Sequence, residues 1–178
     1  LGVGTRPWSD IYQYDLKEEM ALGLKTATPE SDRSALAQME NWTLARLFWN
    51  PDSDPKELRR YYLRRTFREA APAMEKFYFT LHNFIYTHFA YNQPTEFEDE
   101  QQVGTLAFVT PSEKAGGRNP DLTVADELIG YMEEARQKVR NPMSAQMLDR
   151  LYADWTTYIE KARKNSEILK REIGRRKP

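Results

Sequence analysis

The sequence predicts an all-α fold: an antiparallel bundle of about five helices with one long irregular connection. Two observations carry this prediction. Apolar residues recur at three- and four-residue spacing along most of the chain, and proline- or asparagine-marked breaks separate these periodic stretches. With 178 residues, 40% hydrophobic and 30% charged, the chain has the size and composition of one water-soluble domain.

A proline-broken joint between two helices is the clearest local signal. Ser31 is the predicted N-cap of the first of these helices, and Pro51 ends it by disfavouring helical geometry at Asn50. Asp54 can cap the second helix, with Pro55 as its first residue. The joint over 49–57 therefore predicts a helix end and a helix start within a few residues.

The helix before the joint has apolar residues on most of its sides, which is typical of a buried helix. These residues are Leu36, Met39, Trp42, Leu44, Leu47, Phe48 and Trp49.

Three further helices are predicted after the one that runs over 55–69. Pro72 begins a strongly amphipathic helix, and the last two helices, over 123–139 and 142–174, form an antiparallel hairpin. The face of the final helix carries Leu148, Leu151, Trp155, Tyr158, Ala162 and Leu169.

Two segments lack helical periodicity. Residues 1–30 read as an irregular lead-in, and residues 31–178 as the helical domain. Between 92 and 122, an acidic cluster precedes a short predicted strand over 104–109. A connection of this length is typical of a functional or disordered segment.

Composition excludes several classes of function. Twenty-six basic and 27 acidic side chains give a formal charge of -1, so no net field attracts nucleic acid. The absence of cysteine excludes disulfides and thiolate chemistry, and no apolar run approaches the roughly 20 residues that span a bilayer. The first residue is Leu1 rather than Met, from which we expect a fragment of a longer protein.

No self-sufficient catalytic or cofactor motif is found. His82 and His88 are six positions apart on one predicted helix, whereas a helical metal pair needs a spacing of about four, so we expect packed histidines rather than a metal site. Gly2 and Gly4 lack the third glycine of a dinucleotide fingerprint, and no nucleophile-elbow pattern occurs. We therefore expect no catalytic residue, no cofactor and no metal in this chain.

A stripe of arginines, Arg60, Arg64 and Arg68, with Arg59 and Arg65 beside it, could bind phosphate or an acidic partner. The near-neutral total charge favours a solvated helix face instead, with Glu57 and Glu69 as partners.

Most aromatic residues have the spacing of core residues. Trp8, Tyr12 and Tyr14 differ because they lie in the segment read as irregular, and loops often carry binding residues. Because Trp and Tyr faces can stack on sugar rings, these three are the candidate carbohydrate-binding residues.

The joint also carries a resemblance. Over 42–82, the chain resembles the helical C-terminal portion of a bacterial domain-of-unknown-function family. The residues that carry the resemblance are the run Ala-Arg-Leu-Phe-Trp-Asn-Pro-Asp-Ser-Asp over 45–54, Leu58, the Tyr61-Tyr62 pair, the Ala-Ala-Pro-Ala-Met run over 70–74 and Leu81-His82. Members of that family join the helical region to a glycoside-hydrolase-like barrel, similar to α-glucuronidases and β-hexosaminidases. Before the Ala-Ala run the family pattern has a glycine turn, whereas this chain has Thr66-Phe67-Arg68-Glu69.

The resemblance implies a non-catalytic helical region of a carbohydrate-active protein, which packs against its own N-terminal barrel and frames the sugar cleft. It also implies that the lead-in over 1–30 is the end of that barrel. It also implies a polysaccharide or oligosaccharide ligand and a secreted, periplasmic or cell-surface location. The catalytic acids would lie on barrel strands, which a chain of this length cannot contain. The rival hypothesis is a stand-alone interaction or dimerisation module, with the apolar stripe over 148–169 as its homodimer seam. Under neither hypothesis do we expect the protein to bind nucleic acid.

Overall fold

The computed structural model describes residues 8–25, 34–91 and 123–175, and within these ranges all regular structure is helical. The α-helices are α1 (Trp8–Ala21), α2 (Gln38–Trp49), α3 (Pro55–Phe67), α4 (Ala71–Tyr91), α5 (Thr123–Lys138) and α6 (Pro142–Arg175). Short 3-10 turns at Ala35–Ala37 and Arg68–Ala70 lead into α2 and α4. The predicted all-α bundle is confirmed. The predicted cap Ser31, the acidic cluster and the 104–109 strand lie outside the described residues.

The five helices predicted from the sequence are all present, and α1 is a sixth. The prediction of an irregular lead-in over 1–30 is therefore wrong for Trp8–Ala21. The physical reason is that α1 has little apolar periodicity. Of its described side chains, only Leu16 and Ser9 are buried, and polar contacts to α2 and α3 hold the rest of the helix in place.

The core lies between α3, α4, α5 and α6, and α2 packs on the outer side of α3. Phe77 forms the aromatic centre of the core. Its ring meets the rings of Tyr78 and Trp155 edge-on, at centroid distances of 5.2 and 5.4 Å. The predicted α5–α6 hairpin is confirmed. The largest fully buried side chains are Trp155, Tyr78, Phe67, Phe77, Met39, Leu47, Leu63, Met74, Leu81, Leu128 and Met132.

Helix starts follow the predicted capping chemistry. The Asp54 carboxylate accepts a hydrogen bond from the backbone N–H of Lys56 at 2.8 Å, and Pro55 is the first residue of α3. At the turn into α6, the Asn141 side-chain oxygen accepts hydrogen bonds from the backbone N–H groups of Met143 and Ser144, each at 3.1 Å. Both breaks therefore form where the sequence predicts them.

Helix α2 is not buried on all sides, which corrects the prediction drawn from its apolar residues. Leu36, Met39 and Leu47 lie in the core, but Trp49 is 87% exposed and Trp42 is half-buried. The reason is that α2 lies at the outside of the bundle, where its neighbours α1 and α3 leave part of its surface uncovered. Its aromatic residues therefore form surface as well as core.

In the turn between α3 and α4, Arg68 takes the place of the glycine that the family pattern has. Arg68 has φ 50° and ψ -112°, and it is the one residue other than glycine with positive φ in the described part of the chain. This backbone conformation is close to one that glycine strongly favours in tight turns. The turn expected of a glycine is thus made by an exposed arginine, at a cost in backbone strain.

We predict that Arg68→Gly raises the free energy of unfolding by about 1 kcal/mol. Relief of a strain of roughly 1–3 kcal/mol outweighs the extra chain entropy of glycine, which is roughly 0.5–1 kcal/mol. Urea unfolding followed by circular dichroism measures the change. Arg68→Ala is the matched control, because it removes the side chain and keeps the strain; equal stabilisation by both variants would contradict the account.

Candidate functional site

Helices α1, α2, α3 and α4 meet at a cluster of polar side chains, here called the ion cluster: Ser9, Asp10, Glu40, Arg59 and His82. All except Asp10 are buried. Its side-chain hydrogen bonds join residues that are 19 to 49 positions apart in the sequence. It is therefore a tertiary feature rather than a local motif.

A bidentate ion pair forms the centre of the cluster. Arg59 Nε donates to Glu40 Oε1 at 2.6 Å, and Arg59 Nη2 donates to Glu40 Oε2 at 3.2 Å. The third guanidinium nitrogen, Nη1, donates to both carboxylate oxygens of Asp10 at 3.1 and 3.2 Å. Ser9 donates to Glu40 Oε2 from its hydroxyl at 2.6 Å and from its backbone N–H at 3.3 Å. Both oxygens of the Glu40 carboxylate thus accept hydrogen bonds.

The charges of the cluster follow from these contacts. Burial opposes ionisation of Glu40, but hydrogen bonds and charge from Arg59 outweigh it and lower the pKa of this carboxyl. Burial likewise opposes the charge of Arg59, whose pKa is nevertheless raised by Glu40 and Asp10. Burial lowers the pKa of His82 to about 4, so its imidazole is neutral at pH 7. The pair is charged and the histidine is not.

Sequence reasoning missed this pair, although a signal for it exists. Arg59 falls on the same face of α3 as the buried residues Pro55, Leu63 and Phe67, which are spaced by four. Glu40 falls in the same way on the buried face of α2, with Thr43 and Leu47, and it follows the buried Leu36 of the preceding 3-10 turn by four residues. Opposite charges on the core faces of two adjacent helices are the pattern of a buried ion pair.

The second feature is an aromatic surface on the α2–α3 hairpin, in which Arg46, Trp49 and Tyr61 are exposed and Trp42 and Tyr62 are half-buried. The rings of Trp42 and Tyr61 stack at a centroid distance of 5.9 Å and an interplanar angle of 15°. Tyr62 meets Trp42 at 5.7 Å, and the Arg46 guanidinium lies 5.7 Å from the centre of a Trp42 ring. Four aromatic residues thus share one side of the hairpin.

The position of Trp49 extends this surface. Trp49 is seven residues after Trp42, so it lies about 10.5 Å further along α2 and within roughly 20° of the same face. Tyr61 is 51% exposed. The surface therefore offers stacked rings at one end and a single exposed indole at the other.

The predicted sugar-binding residues lie on α1 rather than in a loop. Tyr14 is 69% exposed and Tyr12 is 37% exposed. Being two residues apart on a helix, they lie roughly 200° apart around its axis and cannot stack on the same sugar ring. The side chain of Trp8 lies outside the described residues. The aromatic surface of the α2–α3 hairpin, which the sequence analysis did not single out, is the larger aromatic site.

Other candidate sites from the sequence have structural explanations. His82 packs beside Tyr78 as expected, with ring centroids 6.0 Å apart, while the side chain of His88 lies outside the described residues. Arg60 pairs with Glu57 at 2.8 Å and with Glu75 at 2.9 Å, as expected of a solvated helix face. Arg59, placed beside that stripe from the sequence, is instead buried.

The described residues offer neither a metal-binding group nor a membrane-spanning helix. No group of three or more histidine or acidic side chains there could hold a metal ion. No helix in those ranges combines the length and the hydropathy that a membrane span requires.

We predict that Arg59→Met lowers the free energy of unfolding by about 3–5 kcal/mol, because it leaves the Glu40 carboxylate buried without its partner. The double variant Glu40→Leu/Arg59→Met should recover most of this loss, because it removes both buried charges. Urea unfolding of the three proteins measures the coupling.

Arg60→Met is the matched control for this prediction. Arg60 neighbours Arg59 and also pairs with two carboxylates, but it is solvated, so its loss should cost far less. Similar losses for the two single variants would contradict the central role of the buried pair.

Compared with protein-family models, curated proteins and solved structures, the chain shows no significant match to any of them.

Proposed function

We propose that this chain is a non-catalytic helical region of a carbohydrate-active, glycoside-hydrolase-like protein. In this proposal it packs beside the protein's own N-terminal barrel, frames the sugar cleft with its aromatic surface, and contacts a polysaccharide or oligosaccharide. The protein would act outside the cell or at its surface. The observation that carries the proposal is the exposed aromatic surface of the α2–α3 hairpin, because residues 42–82, which carry the family resemblance, include all of it.

The chemistry of this surface suits a sugar. Pyranose rings present apolar C–H faces and polar hydroxyl edges, and they stack on Trp and Tyr faces. Arg46, Asn50 and Asp52 lie beside Trp42 and Trp49 in sequence and supply hydrogen-bond donors and acceptors. A surface that mixes aromatic faces with polar groups matches both the C–H faces and the hydroxyl edges of a sugar.

The ion cluster supports a structural rather than a catalytic role for its carboxylate. A general acid of glycoside hydrolysis needs a raised pKa and access to the substrate oxygen. Glu40 has a lowered pKa, is buried, and accepts hydrogen bonds at both oxygens. Glu40 therefore stabilises the fold, and the proposal assigns catalysis to another part of the parent protein.

The rival proposal is a stand-alone interaction module that forms homodimers. Its predicted seam begins with Leu148, Leu151 and Trp155, and these side chains are buried in the core of a single chain. A dimer using that seam would have to open the core. Sedimentation equilibrium decides between the proposals: a stable dimer that is lost on substitution of exposed α6 residues such as Met143 would favour the rival.

We predict that the chain binds oligosaccharides through Trp49 and Tyr61. Titration of neutral and uronic-acid-containing oligosaccharides, followed by tryptophan fluorescence and calorimetry, should show binding that Trp49→Ala or Tyr61→Ala weakens about tenfold, which corresponds to about 1.4 kcal/mol for one stacked ring. Both residues are exposed, so the variants should remain folded.

Met143→Ala is the matched control, since Met143 is an apolar residue with 73% exposure on a different helix. Binding that survives both aromatic substitutions, or that Met143→Ala weakens equally, would exclude the aromatic surface as the sugar site. The barrel is tested separately by the parent reading frame upstream of Leu1, which should encode a barrel of about 250 residues. A frame without one would contradict that part of the proposal.

A further inference from the structure

An arginine lies in the middle of the aromatic surface. Arg46 is four residues after Trp42 and three residues before Trp49, so the three residues share one face of α2. The Arg46 guanidinium lies 5.7 Å from the centre of a Trp42 ring, and the side chain is exposed. A guanidinium held against an aromatic ring has less rotamer freedom to lose when its N–H groups bind a ligand. Arg46 is therefore a positioned positive charge, one helical turn from the exposed indole of Trp49.

Two more arginines lie beside the aromatic surface on the other helix of the hairpin. Arg64 and Arg65 follow Tyr61 by three and four residues, which places both of them one turn of α3 beyond its ring and on the same side of the helix. Both side chains are exposed. The surface thus carries positive charge on α3 as well as on α2.

Within the described ranges, no carboxylate pairs with any of these three guanidinium groups. The acidic residues nearest to them in sequence are already paired elsewhere. Glu57, one turn before Tyr61 on α3, pairs with Arg60 at 2.8 Å, and Asp52 in the joint pairs with Lys17 at 3.0 Å. The chain as a whole has a formal charge of -1, so this positive charge is a property of the surface rather than of the molecule.

We propose that the ligand of the aromatic surface is an acidic oligosaccharide, one whose sugars carry a carboxylate or a sulfate group. A pyranose ring stacks on Trp49 or Tyr61, and its anionic group accepts hydrogen bonds from Arg46, or from Arg64 and Arg65. This inference rests on the proposed function, because it names the class of sugar that the same surface binds.

The guanidinium group suits this kind of anion. Its planar N–H donors match two oxygens of a carboxylate or a sulfate, and such charge-assisted hydrogen bonds are roughly twice as strong as neutral ones. A neutral sugar offers these arginines hydroxyl groups alone. Because the three side chains are exposed, each anionic contact should add a modest amount to the affinity, and added salt should weaken it.

Single-stranded nucleic acid is the other anionic polymer that stacks on aromatic rings. Two observations favour the sugar. Trp42 is half-buried, with Tyr61 stacked on it and Arg46 against its ring, so the surface has few open ring faces for successive bases. The formal charge of -1 also provides no net attraction toward a nucleic acid.

Calorimetric titration of the full chain with matched ligands tests the proposal. The ligands are a short oligogalacturonate, the same oligomer with its carboxylates methyl-esterified, and a sulfated oligosaccharide of the same length and charge. We expect the acidic ligands to bind about tenfold more tightly than the methyl ester at low salt, with a difference that shrinks as salt is added. The tighter of the two acidic ligands identifies the anionic group as carboxylate or sulfate.

Arginine variants connect this preference to the surface. Arg46→Gln and the double variant Arg64→Gln/Arg65→Gln should each lower the preference for the acidic oligomer about threefold, and the triple variant should remove it. Binding of the methyl ester should stay unchanged in all of them. Arg150→Gln is the matched control, because Arg150 is an exposed arginine on α6 that also has no ion pair within the described ranges. All of these residues are exposed, so the variants should remain folded.

The outcomes separate this inference from the proposed function. A methyl ester that binds as tightly as the acidic oligomer would overturn the inference and leave the proposed function standing, as would a preference for acid that survives in the triple variant or is lost equally in Arg150→Gln. Binding of none of the three ligands would overturn both. A single-stranded oligonucleotide of the same charge that binds more tightly than the acidic oligomers, through the same arginines, would overturn the inference in favour of nucleic acid.

Discussion

The buried ion pair between Glu40 and Arg59 is the interaction on which the outer part of the structure depends. The core between α3 and α6 is apolar and would form by ordinary burial. The pair satisfies two charges that fall on the core faces of α2 and α3. Desolvation of these charges is costly, and the bidentate geometry together with Ser9 and Asp10 offsets that cost.

This constraint links the ion cluster to the proline-broken joint. The joint leaves the carbonyls of Pro51 and Ser53 turned toward α1, where Gln13 donates to both of them. The joint therefore ends α2, begins α3 and holds α1. It also leaves Trp49 at the surface, where it extends the stacked rings of Trp42 and Tyr61. One short segment thus determines both the attachment of α1 and the shape of the aromatic surface.

Much of the fold is predictable from the sequence, because periodic apolar residues and capping residues act locally. Asp54 with Pro55 and Asn141 with Pro142 begin α3 and α6 as their chemistry requires. Helix α1 was not predictable in this way, because its stabilising contacts are polar and 31 or more residues distant in sequence. The apolar pattern of α2 did not reveal which of its sides has no neighbour. The position of a helix in the bundle is a tertiary property, and the position of α2 leaves Trp49 exposed at the surface.

The candidate sites also differ in how far the sequence alone could have predicted them. The aromatic surface requires α3 to lie beside α2, so that Tyr61 reaches Trp42, and spacing within one helix cannot show this. The ion cluster was accessible in principle, because Arg59 and Glu40 each interrupt a buried apolar face. The central claim is that this pair is ionised and hydrogen-bonded inside the protein. NMR of the Glu40 side-chain carboxyl and the Arg59 Nε–H tests it most directly: we expect a Glu40 pKa below its ordinary value and an Arg59 Nε–H that is protected from exchange. A Glu40 pKa above its ordinary value, or an Arg59 Nε–H that exchanges as in a solvated guanidinium, would contradict the account.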